Sequence, residues 1–330
     1  MKLPRPEIVK DIKTEEPDCP VCQSTSFKVM LKKVKDRIYG KPGVFQIQRC
    51  LQCGLVMTRP RPTTESLKLY YEGSYTRRRS EVRFQTDTRL GRRIPRYRMK
   101  VLGKAHQLNE KDRILDVGCS TGDFLRVARL ESGCQVTGIE LDQKSIERAL
   151  DPEQITYRVG TIQDVELPEH GFTVVTFFQS LEHHQEPVEA LKKAHGFLEP
   201  GGICVVEVPN YGGFWRRVFR SYWMPLMVPQ HLVHFDKKTI KKTFEAAGFK
   251  RILHHQTMFY PFEGIASLAL WIWRIFHLPR RQQKDSWGWL VVPFVLILLV
   301  VLFFLVEIPS QALLRLLGVS GHQITIAARD

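Results

Sequence analysis

The sequence predicts an α/β protein. A doubly wound, largely parallel sheet lies under helices on both faces, with a small metal-binding module in front of it and a hydrophobic insertion near its end. Three observations lead there. From Arg113 onward, short apolar segments alternate with amphipathic ones. Four of the seven cysteines stand in two pairs with the same two-residue gap. Ser286 to Val306 is an uncharged, overwhelmingly apolar run of 21 residues.

The alternation assigns elements one by one. RILDVGC reads as a strand, GDFLRVARLES as a helix, QVTGIEL as a strand and QKSIERAL as a helix. ITYRVG, FTVVTFFQS and GGICVVEVP read as further strands, PVEALKKAHGFL and KKTIKKTFEAAGF as amphipathic helices. Short apolar strands separated by helices need cover on both faces, which is what a parallel sheet with crossover helices provides. The expected organisation is a polar N-terminus over 1–18, a cysteine module over 19–58, a helical basic linker over 59–112, the sheet domain over 113–257, the insertion over 258–320 and one more strand over 321–330. In the linker Pro60 and Pro62 break the chain and Thr64 is placed to cap a short helix. Nine arginines lie between Arg77 and Arg98.

A net charge of +15 on 330 residues points to an anionic partner: nucleic acid, phospholipid headgroups or a phosphorylated substrate. An odd cysteine count with paired spacing argues against a secreted disulfide framework, and the first residues hold no apolar run that would act as a signal peptide. A reducing, cytoplasmic setting is expected.

Cys19 and Cys22, with Cys50 and Cys53, give a CxxC…CxxC pattern, and Gly54 follows the last cysteine. Each gap lets one tight turn present two thiolates, and two such turns complete a tetrahedral zinc site. With all four positions taken by protein, the zinc is expected to be structural. A redox role would need only one pair, set at the start of a long helix.

Asp116-Val117-Gly118-Cys119-Ser120-Thr121-Gly122-Asp123 links a strand to a helix. Its glycines admit a close backbone approach, and the helix start offers unpaired N–H groups. The loop is not the G-x-G-x-x-G of nicotinamide cofactors, and Asp116 would repel a pyrophosphate but can hold loop amides or an ammonium group. Glu140 ends the next strand, where doubly wound folds present a carboxylate to ribose hydroxyls.

ILDVGCSTGDFL, VTGIELD, LEHHQEPVEALKKAHGFLEPGG and VVEVPN resemble, in order, the motifs of class I S-adenosylmethionine-dependent methyltransferases, over about Arg113 to Phe249. The resemblance is to the branch holding ubiquinone-pathway O-methyltransferases and deoxysugar methyltransferases, some of which carry an N-terminal zinc module. It implies a Rossmann-like, seven-stranded sheet whose last two strands are RILHHQTM and ITIAARD, with S-adenosylmethionine as cofactor. It implies that Asp116, Gly118, Cys119 and Gly122 shape the pocket for the methionine part, and that Glu140 binds the ribose hydroxyls with Leu141 against the adenine. It further implies that Thr161 and Ile162 border the adenine, and that Gln179 and Ser180 lie under the methyl group. Ser120 stands where the family often has glycine.

Proton removal from an acceptor calls for a base, and histidine is the usual one. His183, His184, His231 and His234 lie in the relevant segments. PQHLVHFD resembles the family segment whose histidine faces the acceptor, which makes His231 the first choice; Glu182 with His183 is the second. Gln230 stands where deoxysugar relatives often have glutamate. Asn210 and Tyr211 are expected on the acceptor side.

The expected activity is methyl transfer to a membrane-associated small-molecule, lipid or lipid-linked glycan acceptor. Nucleic-acid methylation and a catalytically inactive, membrane-bound scaffold are the alternatives; the apolar run speaks against nucleic acid. At about 1.5 Å per residue that run could cross a core of about 30 Å. A single crossing would separate ITIAARD from its sheet, and two would put Arg274, Arg280, Arg281 and Lys284 on the wrong side. A re-entrant hairpin is therefore expected, with the catalytic domain on the cytoplasmic side and the arginine run drawn to anionic lipid.

Overall fold

The computed structural model describes residues 12–71, 88–149 apart from Leu90, 152–258, 262–276 and 309–330, with positions 297, 298, 301 and 305–307 between. Five short strands come first: β1 (Thr14–Glu15), β2 (Phe27–Val34), β3 (Phe45–Cys50), β4 (Val56–Thr58) and β5 (Arg61–Pro62). Helix α1 (Thr64–Tyr71) follows. Its first turn is capped by Thr63, whose Oγ1 accepts from Ser66 N at 3.4 Å. Thr64 is already helical and its hydroxyl donates instead to Gln185, so the expected cap lies one residue earlier.

Helix α2 (Arg93–Leu102) leads into the main sheet, built in chain order from β6 (Arg113–Val117), α3 (Asp123–Ser132), β7 (Gln135–Glu140), α4 (Gln143–Ile146), β8 (Thr156–Val159), β9 (Phe172–Phe178), α5 (Pro187–Phe197) and β10 (Leu198–Pro209). Then come α6 (Phe214–Phe219), β11 (Val233–His234), α7 (Lys237–Ala246), β12 (Arg251–Met258), α8 (Glu263–Phe276) and β13 (His322–Ala328). Helix α4 stops well short of the predicted QKSIERAL. It buries no residue, so after its Asp142 cap nothing holds further turns in place.

The seven strands run in the order β8-β7-β6-β9-β10-β13-β12. All are parallel except β13, which is antiparallel to both β10 and β12. This is the seven-stranded sheet that the resemblance implies, with RILHHQTM and HQITIAA as its last two strands. The winding reverses between β6 and β9, and a crevice at the carboxyl ends of strands at such a switch is where doubly wound sheets bind ligands. Alternate side chains of β9 feed two cores: Val175 and Phe177 pack with Leu115 and Phe244 on one face, Val174 and Phe178 with Ile114 and Ile324 on the other.

The cysteine module is sewn into this domain. Its sheet runs β11-β4-β3-β2, and β11 comes from the segment after β10, pairing Val233 with Met57 and His234 with Val56. Cys19, Cys50, Leu55 and Met57 share a core with Leu115, Phe235 and Ile240.

The insertion leaves after Met258 and returns at His322, residues that face each other across β12 and β13. His322 also faces Pro209, the last residue of β10, so both ends of the insertion lie at the carboxyl end of the parallel strands. Glu307, from the returning arm, accepts from Gly264 N at 2.7 Å and Ile265 N at 3.0 Å, closing the start of α8. Most of Ser286 to Val306, where the hairpin is expected, and the arginines from Arg77 to Arg83 lie outside the described residues. Among the described residues no helix is long and apolar enough to cross a membrane.

Candidate active site

The loop after β6 takes its shape from positive φ at Gly118 (76°), Ser120 (54°) and Gly122 (75°). A Cβ on Gly118 would sit 2.6 Å from Ser180 Cβ, and one on Gly122 would sit 2.2 Å from the Tyr157 hydroxyl. Both positions are therefore closed to any side chain. Ser120 adopts the left-handed conformation without being glycine, and its N–H donates to Glu140 at 2.7 Å. The other Glu140 oxygen accepts from Asp142 N at 3.0 Å. Each oxygen keeps a second lone pair, enough to receive two hydroxyls.

Asp116 is buried, and its Oδ1 accepts from the Thr176 hydroxyl at 2.7 Å. Burial pushes its carboxyl up to about 7, with the Glu140 and Glu207 carboxylates adding to the rise and Thr176 and Arg98 opposing it. Cys119 is buried against Gly138, and burial holds its thiol well above the ordinary range, so it is packing rather than a nucleophile. Leu141 is 61% exposed, a bare apolar side chain beside Glu140. The Thr161 hydroxyl donates to Asp164 at 2.6 Å, while the Ile162 side chain is buried in the core, leaving only its backbone to face a ligand.

Gln179 has φ of 57° and its amide donates to Glu207 Oε1 at 3.0 Å. Glu207 also receives both arms of the Arg98 guanidinium, at 2.7 and 3.0 Å, and Arg98 stacks 4.4 Å from the centre of the Phe178 ring. Arg98 holds the Glu207 carboxyl below its ordinary range although burial acts the other way. Nothing in the sequence marks these two residues as partners. Arg98 was one of nine arginines in a run, and the only hint was a lone acid inside the apolar strand VVEVP.

Ser180 links this loop to the histidines. Its hydroxyl donates to Val117 O at 2.6 Å, and the single turn Leu181–His183 follows directly. His231 Nδ1 lies 2.8 Å from Pro225 O, so that nitrogen carries the hydrogen and Nε2 keeps a lone pair, 3.9 Å from Glu182 Oε1. Burial, with His183 and His234 nearby, holds His231 well below the ordinary histidine range, hence neutral. His183 Nδ1 donates to Gln230 O at 2.9 Å, with the Tyr71 hydroxyl 3.1 Å away, and the two imidazole centroids are 4.6 Å apart. The three residues singled out for proton chemistry thus come together. Asn210 turns its amide to Ser320 O and Gly212 N, and buried Tyr211 lies under Arg216, so both brace this side.

The cysteine module fixes the histidine segment. Thr58 N donates to Leu232 O at 2.9 Å, and its hydroxyl donates to His231 O at 2.8 Å while lying 3.1 Å from His234 Nε2. Nothing in the local sequence announces this contact.

Cys19, Cys22, Cys50 and Cys53 form one cluster with all sulfur atoms within 4.8 Å of one another, and none is in a disulfide. The Cys19–Cys53 and Cys22–Cys50 separations are 3.4 and 3.5 Å. Bonds of about 2.3 Å to a tetrahedral zinc would put sulfurs about 3.8 Å apart, so the donor set fits that ion with little adjustment. Burial pushes the Cys19 thiol up, and backbone groups of Val21 and Cys22 act the other way, as amides around a thiolate do.

The methyltransferase domain family model matches residues 84–255, just over half the chain. A ubiquinone biosynthesis O-methyltransferase of Xanthomonas campestris is 29% identical over 147 residues, which is 42% of this chain and 60% of that protein. One from Nitrosospira multiformis is 34% identical over 111 residues, 32% of this chain and 46% of that protein. The chain thus spans about 60% or less of the length of these two relatives. Among solved structures the 4+2 cyclase SpnF superposes with a TM-score of 0.50 at 20% identity, covering 82% of this chain and 98% of that one. At such identity the likeness concerns the fold alone. The family match, on the sheet order described above, decides membership: the chain belongs to the methyltransferase domain family, among the class I S-adenosylmethionine-dependent methyltransferases.

Proposed function

We propose that this chain transfers a methyl group from S-adenosylmethionine to a membrane-associated small-molecule, lipid or lipid-linked acceptor, with His231 as base and a structural zinc in the cysteine module. The observation that carries the reading is that one wall joins the glycine loop to the histidines: Gly118 lies against Ser180, and the turn from Ser180 leads to Glu182 and His183 beside His231. The bound cofactor supplies a methyl group on an excellent leaving group. The protein's part is alignment and proton removal. Asp116 holds positive charge at the methionine end, Glu140 takes the ribose, and Arg98 fixes Glu207 and through it Gln179. His231 accepts the acceptor's proton at Nε2, where the Glu182 carboxyl faces the imidazolium that forms.

Two observations support a membrane acceptor. The insertion leaves and returns at the carboxyl end of the parallel strands, the side that holds the glycine loop. Its returning arm exposes Leu313, Leu316 and Leu317, at 57, 85 and 64%. The relatives named for ubiquinone biosynthesis favour a small molecule over a macromolecule. Incubation with methyl-labelled S-adenosylmethionine and fractionated membrane extract tests the reading. Label is expected in a small lipid-soluble product; label confined to RNA, DNA or protein, or none at all, contradicts it.

A further inference from the structure

A strongly basic surface takes no part in the proposed chemistry. The segment Phe27 to Gly43 carries five lysines and Arg37 against one acid, Asp36. That acid is buried and its carboxylate is occupied by the N–H groups of Ile38, Tyr39 and Lys41. The segment Phe214 to Met227 carries Arg216, Arg217 and Arg220 and no acid. These two segments, nearly two hundred residues apart, meet. Arg37 lies 3.5 Å from the Ser221 hydroxyl and stacks 4.1 Å over the Tyr222 ring. Lys33, Lys35, Arg217 and Arg220 are exposed, and among the described residues none of them is in an ion pair.

This basic rim is continuous with the base of the insertion. Helix α6 turns Trp215 and Phe219 inward onto Leu268 of α8 and Leu314 of the returning arm. Its outer side presents Phe214 and Val218, 41 and 50% exposed, with Arg217 between them. Trp271, 43% exposed on α8, adds to the bare surface. Leu270 of the same helix lines a crevice with Val34, Lys35, Arg37 and Ser221, so the rim and the apolar helix border one another directly. Exposed aromatic and aliphatic side chains interleaved with arginine and lysine, beside an apolar insertion, match a bilayer interface. There the apolar groups enter the headgroup boundary and the cations meet phosphates.

We propose that this face, formed by Lys33, Lys35, Arg217 and Arg220 around Phe214 and Val218, docks on the surface of an anionic phospholipid bilayer. It rests on the membrane reading of the insertion. The insertion would supply attachment to any bilayer, and this rim would supply the preference for anionic headgroups and set the tilt of the domain on the surface. The positive balance of the chain then has a second source besides the arginines between Arg77 and Arg98.

Flotation of the full chain with vesicles tests this, comparing phosphatidylcholine alone with phosphatidylcholine containing phosphatidylglycerol. The wild type should prefer the anionic vesicles, and salt should weaken that preference. One lysine or arginine near an anionic surface is worth about fivefold in partition, so removing four such charges costs about 600-fold, and K33E/K35E/R217E/R220E, which also reverses them, should lose at least that much binding to anionic vesicles. It should keep the wild-type affinity for neutral vesicles and for S-adenosylmethionine. The neutralising set K33Q/K35Q/R217Q/R220Q should lose less and serves as the check should the reversed set fold poorly. Undiminished binding of both sets to anionic vesicles overturns the inference. Equal binding of the wild type to both vesicle types overturns it while leaving the membrane reading intact. Binding to neither type overturns both, and retention on RNA in place of vesicles would assign the surface to nucleic acid instead.

Discussion

Thr58→Val tests whether the cysteine module positions the proposed base, His231. The Thr58 hydroxyl satisfies the buried His231 carbonyl at 2.8 Å and sits 3.1 Å from His234 Nε2. Valine has nearly the same shape and keeps the backbone bond to Leu232, so the change removes polar contacts from a fully buried position without opening a cavity. Leaving a buried acceptor unpaired costs about 1–3 kcal/mol, so a stability loss of that size should appear in urea unfolding. The larger effect is expected on chemistry. A displacement of the His231 segment by about 1 Å would lower turnover on the order of a hundredfold, because proton removal depends on alignment. The glycine loop and Glu140 touch none of these atoms, so S-adenosylmethionine affinity by calorimetry should stay as in the wild type. Normal turnover in a destabilised variant would refute the positioning role. A parallel fall in cofactor affinity would show that the change is global rather than local.

Other perturbations separate the remaining parts. Glu140→Ala should weaken S-adenosylmethionine binding by about 2–4 kcal/mol with the fold intact, since hydrogen bonds to a charged group are lost; unchanged affinity by calorimetry would move the ribose site elsewhere. Burial raises the Asp116 carboxyl to about 7, so in the free protein the charged form is disfavoured and stability from this group declines as pH rises toward 7. Holding the cofactor's positive charge needs the carboxylate, so affinity should fall about tenfold per pH unit below 7. Asp116→Asn should bind weakly and without that slope, and a flat wild-type profile between pH 5 and 7 would remove Asp116 from the cofactor site. Cys50→Ser should release zinc, measured by metal analysis, and loosen the module; because β4 pairs with β11, turnover should fall with it, whereas a zinc-free wild type would contradict the site.

What was legible in the sequence was local. β-Branched and aromatic runs such as FTVVTFF mark strands because they suit a surface buried on both sides, and identical cysteine gaps mark a chelating pair of turns. Gly118 and Gly122 were readable as close-approach positions, and the structure gives the reason in Ser180 and Tyr157. The contacts between distant segments were not legible. The pairing of β4 with β11 rests on two residues from each strand, too few to leave a periodic signature. Arg98 and Glu207 are partners across 109 positions, and in an arginine-rich run no local pattern marks which arginine turns inward. Helix α4 failed differently: its residues have helical character but no surface to pack on, and propensity alone sustains only a single turn.

The central claim is methyl transfer with His231 as base, and the most direct measurement is single-turnover transfer of labelled methyl to membrane extract at saturating S-adenosylmethionine, wild type against His231→Ala. Label should enter a small lipid-soluble product with the wild type and slow by about 10²–10⁴-fold in the variant, at unchanged cofactor affinity. Equal rates in the two proteins would contradict the account.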